Sequence, residues 1–208
     1  MGMAQLVFLR DVKREDGMNE AKQQELLTGH IAFLKGLWEK GTALLVGPMA
    51  DEGQIAGVVV LDVEKPEDAV KIMEDDPFVK AKRLNVDTLG WYFAKNYVVK
   101  APKFMDHKQY WFGLLERPEG LTPLSKEEGE KLQAGHMANI VKMAENKTLL
   151  LAGPMEGKTA LRGIFIFDMM EKSEIERLVE NDPLIKGGRL KLTLHKWMAP
   201  KGSFLIEK

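Results

Sequence analysis

The feature that most constrains the fold is an internal repeat, in which residues recur 106 positions further along the chain, as His30 recurs at His136. The offset is constant and needs no gap between positions 29 and 97. The repeated segments include Gly29-His30 with Gly135-His136, Gly47-Pro48-Met49 with Gly153-Pro154-Met155, Asp76-Pro77 with Asp182-Pro183, and Trp91 with Trp197. Two long copies do not suit a solenoid, so we interpret them as a duplicated domain.

Each copy has the same order of predicted elements, β-α-β-β-α-β, which is the ferredoxin-like motif. Aromatic and branched residues predict the first strand at 5–12 and 109–116, and the last strand at about 84–94 and 190–199. Apolar residues at helical spacing predict a long first helix, with Leu26, Leu27, Ile31, Leu34, Leu37 and Trp38 in one copy and Leu132, Met137, Ile140, Met143 and Ala144 in the other. We predict repeat 1 at 1–97, a linker at 98–107 and repeat 2 at 108–208.

A ferredoxin-like sheet carries helices on one face only, so its other face needs a cover. Two copies in one chain can cover each other. We therefore predict an α+β protein in which two βαββαβ repeats pack sheet to sheet within the chain, with a cavity between the sheets.

Composition excludes several classes of function. The 30 basic and 31 acidic residues give a net charge of −1, which argues against nucleic acid as the main partner. No apolar run is long enough for a transmembrane helix, and the N-terminus does not resemble a signal peptide. The chain has no cysteine, which excludes disulfides and thiolate chemistry, and a cytoplasmic location is expected. No phosphate-binding loop has the required spacing, and the histidines lack the spacing of metal ligands.

Two of the four histidines occupy equivalent positions. His30 and His136 lie on the apolar stripe of the first helix in their copies, so each imidazole is expected to be directed inward. Such a histidine can be a structural residue that donates to a backbone carbonyl, or it can be a general acid or base. The sequence favours neither alternative over the other.

Asp76 and Asp182 each precede a proline. Aspartate is a favoured N-cap and proline a favoured first helical residue, so each pair could simply begin a short helical turn. Alternatively, the carboxylate orients the histidine of the first helix and stabilises its protonated form. Because an unperturbed histidine has a pKa of about 6.5, such a pair can transfer a proton at neutral pH.

The last strand of each copy carries a tryptophan. Trp197 shares a strand face with His195, and a mixed polar and aromatic face suits a pocket wall or a sheet-to-sheet interface equally well. The predicted substrate-binding residues are Trp91, Trp197, Met49, Met155 and His195. His107 lies in the linker and is expected to be solvated.

Taken in order, these motifs resemble the YCII-related domain of the dimeric α+β barrel superfamily: a helical histidine, a strand that ends in Gly-Pro-Met, a strand, a helix and Asp-Pro-Phe. The resemblance covers nearly all of both halves. It implies a cleft with a catalytic His–Asp pair, here His30 with Asp76 and His136 with Asp182. A characterised relative eliminates hydrogen chloride from a chlorinated hydroxyquinol with such a pair.

The chain departs from the family pattern in two places. Family members often carry an arginine shortly before the histidine, whereas this chain has 26–28 LLT and 132–134 LQA, so a substrate-binding cation is expected to be missing. Leu184 stands where the first copy has Phe78. The first site therefore matches the family better than the second.

The resemblance predicts a cofactor-independent lyase or isomerase that acts on a small cyclic or aromatic compound, without a metal. One alternative is a non-catalytic module that binds a small apolar metabolite between the sheets. Another is a monooxygenase-like or haem-linked relative on the same scaffold. The expected partner is a small-molecule ligand, without nucleic acid or membrane, and pairing into a homo-oligomer of pseudo-dimers stays open.

Overall fold

A computed structural model describes residues 1–12, 17–168 and 171–206, and the two halves contain the same succession of elements. The first half consists of β1 Gly2–Asp11, α1 Glu20–Glu39, β2 Ala43–Pro48, β3 Ile55–Leu61, α2 Pro66–Met73, α3 Pro77–Lys80 and β4 Leu84–Phe93. The second half consists of β5 His107–Glu116, α4 Lys126–Glu145, β6 Leu149–Pro154, β7 Leu161–Phe167, α5 Lys172–Val179, α6 Pro183–Lys186 and β8 Lys191–Pro200. The predicted α+β fold with two ferredoxin-like repeats is confirmed.

Each half forms one antiparallel four-stranded sheet, with the order β2-β3-β1-β4 in the first and β6-β7-β5-β8 in the second. The first strand of each half is central, so it is hydrogen-bonded on both edges. Along β1, neighbours alternate between the two faces: Leu6 and Phe8 pack in one core cluster, Val7 and Leu9 in another.

The two sheets are joined at both edges. The backbone N–H of Ala50, just after β2, donates to Lys196 O on β8 at 2.7 Å. In the equivalent place, the N–H of Glu156 donates to Gly90 O on β4 at 2.7 Å. These two seams close the sheets into a barrel that is formed by both halves of one chain.

Glycine is required at each seam. A Cβ on Gly47 would lie 1.8 Å from Met198 O, and a Cβ on Gly153 would lie 1.8 Å from Tyr92 O. Both contacts are far shorter than van der Waals distance and involve backbone, which cannot move aside as a side chain can. The Gly-Pro motif of the sequence thus marks the strand ends where the sheets meet.

The prediction of a cavity between the sheets is wrong. Side chains from both halves fill the barrel interior in one cluster of buried residues, among them Leu6, Phe8, Val58, Val60, Trp91, Phe93, Tyr110, Phe112, Ile164, Ile166 and Trp197. Large aromatic residues from both sheets occupy the space in which a ligand was expected. The interior stabilises the barrel, and the open cavities lie elsewhere.

The long helices pack on the outer faces of the sheets. Helix α1 begins at the N-cap Asn19, whose side chain accepts from Lys22 N–H, and it buries Leu26, Leu34 and Trp38. Helix α4 begins with a capping box formed by Ser125 and Glu128. Its buried residues are His136 and Met143, whereas Met137 and Ala144 of the predicted stripe are exposed. No helix in the described parts of the chain combines the length and the apolar character needed to cross a membrane.

The linker packs closely on the first half. Phe104 is buried, with its ring 5.4 Å from that of Trp38, and Lys100 Nζ donates to Glu39 O at the end of α1. Val99 N–H also donates to Ser203 O, which ties the linker to the C-terminal segment. Linker residues therefore reach the helix-side surface of the first sheet, where the candidate site lies.

Candidate functional site

The helical histidine of each half is placed by the glycine before it. A Cβ on Gly29 would lie 3.0 Å from Pro77 Cγ, and a Cβ on Gly135 would lie 2.6 Å from Pro183 Cγ. Glycine therefore permits the long helix to approach the short helix that begins with Asp-Pro. This close approach brings His30 and Asp76 into contact, and it explains why Gly-His and Asp-Pro recur together.

In the first half, His30 Nδ1 lies 2.6 Å from Asp76 Oδ2. The other carboxylate oxygen of Asp76 accepts the N–H of Phe78 at 2.8 Å, so Asp76 also caps helix α3. The Asp76 side chain is fully buried, and 14% of the His30 side chain is exposed. The sequence left two roles open for Asp76, that of a helix cap and that of a partner for the histidine. Asp76 has both roles in the structure, because Oδ1 caps the helix and Oδ2 contacts His30.

This geometry assigns the tautomer of His30. An ionised carboxylate can only accept a hydrogen bond, so Nδ1 carries the proton and donates it to Asp76. Nε2 is therefore the ring nitrogen that is available to a ligand. The ring of Phe78 lies 4.9 Å from the imidazole, centroid to centroid, and restricts its rotation.

The second half repeats the pair with one additional contact. His136 Nδ1 lies 2.7 Å from the fully buried Asp182, and the Asn139 side chain donates to the same carboxylate oxygen at 3.3 Å. Burial alone raises the pKa of the Asp182 carboxyl. The hydrogen bonds from His136, Asn139 and Leu184 N–H, with the charge of His136, outweigh burial and lower that pKa below its ordinary value. Phe33 stands in the place of Asn139 in the first half.

A cavity of about 950 Å³ lies beside His30, between α1 and the outer face of the first sheet. Its apolar lining includes Leu9, Leu27, Ile31, Leu34, Val46, Phe78, Leu84 and Phe104. Among the residues that the structure describes, its charged lining consists of Asp11, Glu20 and Arg83, besides the histidines. We name this cavity the first pocket; its size and lining suit a small, largely apolar molecule.

His107 also lines the first pocket, which corrects the expectation that it is solvated. Its side chain is half-buried, and its ring meets Phe104 edge to face at 6.3 Å. Burial lowers the pKa of His107 and outweighs the opposing effect of Asp106. The uncharged imidazole is therefore favoured at this wall.

The equivalent cavity beside His136, which we name the second pocket, has a volume of about 400 Å³. Its apolar lining includes Leu115, Ile140, Phe165, Leu184 and Leu190. Three arginines, Arg117, Arg162 and Arg189, line it as well. The sequence interpretation missed Arg117 and Arg162 because it looked for residues that the two halves share, and it missed Arg189, which recurs as Arg83, because no motif connected it to a site. At the positions equivalent to Arg117 and Arg162, the first half has Asp11 and Ala56.

The five predicted substrate-binding residues lie away from both pockets. Trp91 and Trp197 are fully buried in the barrel interior, and their Nε1–H groups donate across the seams to Gly153 O and Gly47 O, each at 3.0 Å. Met49 and Met155 form the β-bridges of these seams. The tryptophans thus belong to the sheet-to-sheet interface, which was the alternative interpretation of their strand faces.

His195 occupies the seam between the halves. Its Nδ1 lies 2.9 Å from Asp51 Oδ2, and it does not line either pocket. Within residues 1–12, 17–168 and 171–206, no group of three or more His, Asp or Glu residues has the arrangement of a metal site. The candidate site therefore consists of a His–Asp pair and its pocket in each half.

Part of the chain matches a known protein family. The model of the YCII-related domain matches residues 6–86, which include the first His–Asp pair. Residues 6–86 form a YCII-related domain. The second half is related to this YCII-related domain by the internal repeat and by the same succession of elements. No curated protein sequence matches the chain.

Solved structures share the architecture of both halves. A candidate chlorite dismutase is 7% identical with a TM-score of 0.61, and the match covers 94% of each chain. A heme-binding protein from Thermus thermophilus is 12% identical with a TM-score of 0.58, covering 93% of this chain and 90% of that one. A candidate monooxygenase from Lactobacillus acidophilus is 9% identical with a TM-score of 0.50, covering 96% and 94%. Identities this low establish the fold alone, the dimeric α+β barrel.

Proposed function

We propose that the YCII-related first half is an enzyme that moves a proton on a small cyclic or aromatic compound bound in the first pocket. The observation that carries the proposal is the contact of 2.6 Å between His30 Nδ1 and Asp76 at the wall of a cavity of about 950 Å³. A histidine held by a buried carboxylate beside a pocket of this size is the arrangement that general acid–base catalysis requires.

His30 Nε2 is the proton acceptor in this proposal. It takes a proton from an acidic carbon or hydroxyl of the bound compound, and the imidazolium that forms is stabilised by the Asp76 carboxylate. Asp76 is a positioning residue, because it fixes the ring and the tautomer through Nδ1. The proton then returns to a different atom in an isomerisation, or a leaving group departs with its electron pair in an elimination.

The lining of the first pocket supports an apolar substrate. Leu27, Ile31 and Phe104 offer aliphatic and aromatic surface, and Phe78 flanks the imidazole. A low-dielectric wall strengthens the attraction between Asp76 and the imidazolium. It also excludes water from the anion left by proton removal.

A substrate screen with matched variants tests this proposal. The purified protein is assayed against cyclic enols, lactones and halogenated hydroxyquinols, beside His30→Gln and Asp76→Asn. We expect turnover in the wild type, a loss of roughly 100- to 10,000-fold in kcat/KM for His30→Gln, and an altered pH profile for Asp76→Asn. Turnover that His30→Gln leaves unchanged contradicts the proposal.

A second candidate function is that of a haem-linked or monooxygenase-like protein, and the structural neighbours favour it over a lyase or isomerase. His30 is the residue that would hold the haem iron, because a ligating histidine commonly donates its other ring N–H to a carboxylate, as His30 does to Asp76. Bound haem would supply an iron centre for reactions with oxygen or small anions.

Titration with hemin separates the two candidates. The haem-linked candidate expects a shifted Soret band in the wild type that is lost in His30→Ala and retained in His136→Ala. A band that does not depend on His30 contradicts it. A non-catalytic binding module expects ligand binding in the first pocket, with neither turnover nor a dependence of the Soret band on His30.

A further inference from the structure

The described residues of the second pocket carry a concentration of positive charge that those of the first pocket lack. Arg117, Arg162 and Arg189 all line a cavity of about 400 Å³. Among the residues that the structure describes, no aspartate or glutamate lines it. Three cations therefore face a small, half-enclosed space whose remaining wall is largely apolar.

The register of the second sheet explains why the arginines meet. Glu116 pairs with Leu161 on one side and with Lys191 on the other, so the ends of β5, β7 and β8 lie side by side. Arg117 follows Glu116, Arg162 follows Leu161, and Arg189 precedes β8 by two residues. The backbone thus brings three residues that are far apart in the chain to one edge of the sheet.

Two of the arginines are held in place by neutral groups. Arg162 Nη1 donates to Thr159 O at 3.2 Å, and Arg189 Nη2 donates to Thr122 O at 2.8 Å. In the described part of the chain, neither these two nor Arg117 forms an ion pair with a carboxylate. A carbonyl fixes the orientation of a guanidinium without compensating its charge, so each retains donors for a ligand.

The first pocket shows that the fold does not require this charge. Asp11 and Ala56 stand in the places of Arg117 and Arg162, and only Arg83, in the place of Arg189, is kept. Repulsion among three guanidinium groups around a small cavity opposes folding, and an anion bound between them relieves it. The second half thus carries two cations at positions where the first half has none.

We infer that the second pocket binds a small organic anion, a carboxylate or a phosphate ester with an apolar body. The planar fork of arginine matches both oxyanions in a bidentate manner. Ile140, Leu184 and Leu190 receive the apolar body, and His136 lies at the same wall. This inference goes beyond the proposed function, because it requires no turnover and no participation of His30.

Calorimetric titration with benzoate, phenyl phosphate and benzyl alcohol tests the inference. We expect both anions to bind more tightly than the neutral alcohol, with affinity that falls as salt is added. The two anions distinguish a carboxylate site from a phosphate site. Equal binding of all three compounds, or failure of both anions to bind, overturns the inference.

Variants locate the binding site. Arg162→Ala places in the second half the residue that the first half already has, so the fold tolerates it. We expect Arg162→Ala and Arg189→Ala each to weaken anion binding by roughly 10- to 100-fold. The matched controls Arg83→Ala in the first pocket and Lys191→Ala on the exposed side of β8 should leave it unchanged. Loss of binding in Arg83→Ala with none in Arg162→Ala and Arg189→Ala overturns the assignment to the second pocket.

Discussion

In the first pocket the histidine lies 2.6 Å from its aspartate, and in the second it lies 2.7 Å from the equivalent aspartate. Around these nearly identical pairs the walls differ in size and charge. The first pocket is the larger, and its described lining has two carboxylates and one arginine. The second pocket is smaller, and its described lining has three arginines. The difference indicates that the residues that hold the pair are fixed by backbone packing, whereas the wall residues are free to diverge after duplication.

The fixed residues are those that would clash or lose a cap if they changed. Gly29 and Gly135 permit two helices to touch, and Asp76 and Asp182 each cap a short helix while holding a histidine. The wall residues meet a cavity, and a side chain that faces open space can change its size or charge at low cost. Divergence of function between the halves is thus expected at the wall.

The largest expected effect concerns the two histidines. His30→Gln should lower kcat/KM on a substrate of the first pocket by roughly 100- to 10,000-fold, because Nε2 is lost as the base. His136→Gln should leave that rate within a few-fold, since it lies in the other pocket. Steady-state kinetics measure both, and equal losses would show that the pockets are not independent.

The second prediction concerns the acid stability of the second pair. Because the pKa of Asp182 is lowered in the folded state, its contribution to stability is complete above its unfolded pKa, about 3.9. That contribution is lost as pH falls through the lower, folded value. Asp182→Asn should therefore cost about 2 kcal/mol of unfolding free energy at neutral pH and flatten the decline below pH ~4.

Urea unfolding across that pH range measures the effect of Asp182→Asn. Glu180→Gln, an exposed carboxyl two residues away, is the control and should follow the wild type. If the free energy of unfolding falls as steeply at acid pH in Asp182→Asn as in the wild type, Asp182 is not a principal source of the pH dependence.

The third prediction compares the two helix contacts. Gly135→Ala forces a Cβ to 2.6 Å from Pro183, whereas Gly29→Ala meets Pro77 at 3.0 Å. Overpacking costs about 1–3 kcal/mol, and alanine regains about 1 kcal/mol of helix propensity. Gly135→Ala should therefore lower the free energy of unfolding by about 1 kcal/mol more than Gly29→Ala, as measured by urea unfolding. The reverse order would contradict the packing argument.

The smallest expected effect belongs to His107, which has no counterpart in the second pocket. Burial lowers its pKa, so the folded protein resists protonation, and stability falls as pH drops below the unfolded value of about 6.5. His107→Gln should remove a small part of the decline that begins below about pH 6.5. Thermal unfolding at several pH values checks this, and an unchanged slope would show that His107 does not contribute.

Much of the fold could be predicted from the sequence because the repeat supplies two independent patterns for each element. Leu34 and Trp38 follow His30 at a spacing of four residues, and this helical spacing was sufficient to place the imidazole on the inner face of α1. The His–Asp pairing was predictable as a hypothesis, since both residues recur with a fixed separation. The contact itself depends on Gly29 against Pro77, which is a property of three-dimensional packing.

The location of the pockets could not be predicted. Alternation along β1 shows which residues share a face, but it does not show how far apart two facing sheets lie. Trp91 and Trp197 are large enough to fill that space, and both donate across a seam that only the folded chain forms. The arginines of the second pocket come from three strand ends, which the sequence separates widely.

The central claim is that each half holds its histidine with a proton on Nδ1, shared with a buried aspartate, and leaves Nε2 to the pocket. Long-range ¹H–¹⁵N NMR of the histidine side chains at about pH 8, above the ordinary titration range of histidine, tests it most directly. The account predicts the Nδ1–H tautomer for His30 and His136 in the wild type, and loss of that preference for His30 alone in Asp76→Asn. An Nε2–H tautomer for His30, or an Asp76→Asn spectrum identical to the wild type, would contradict it.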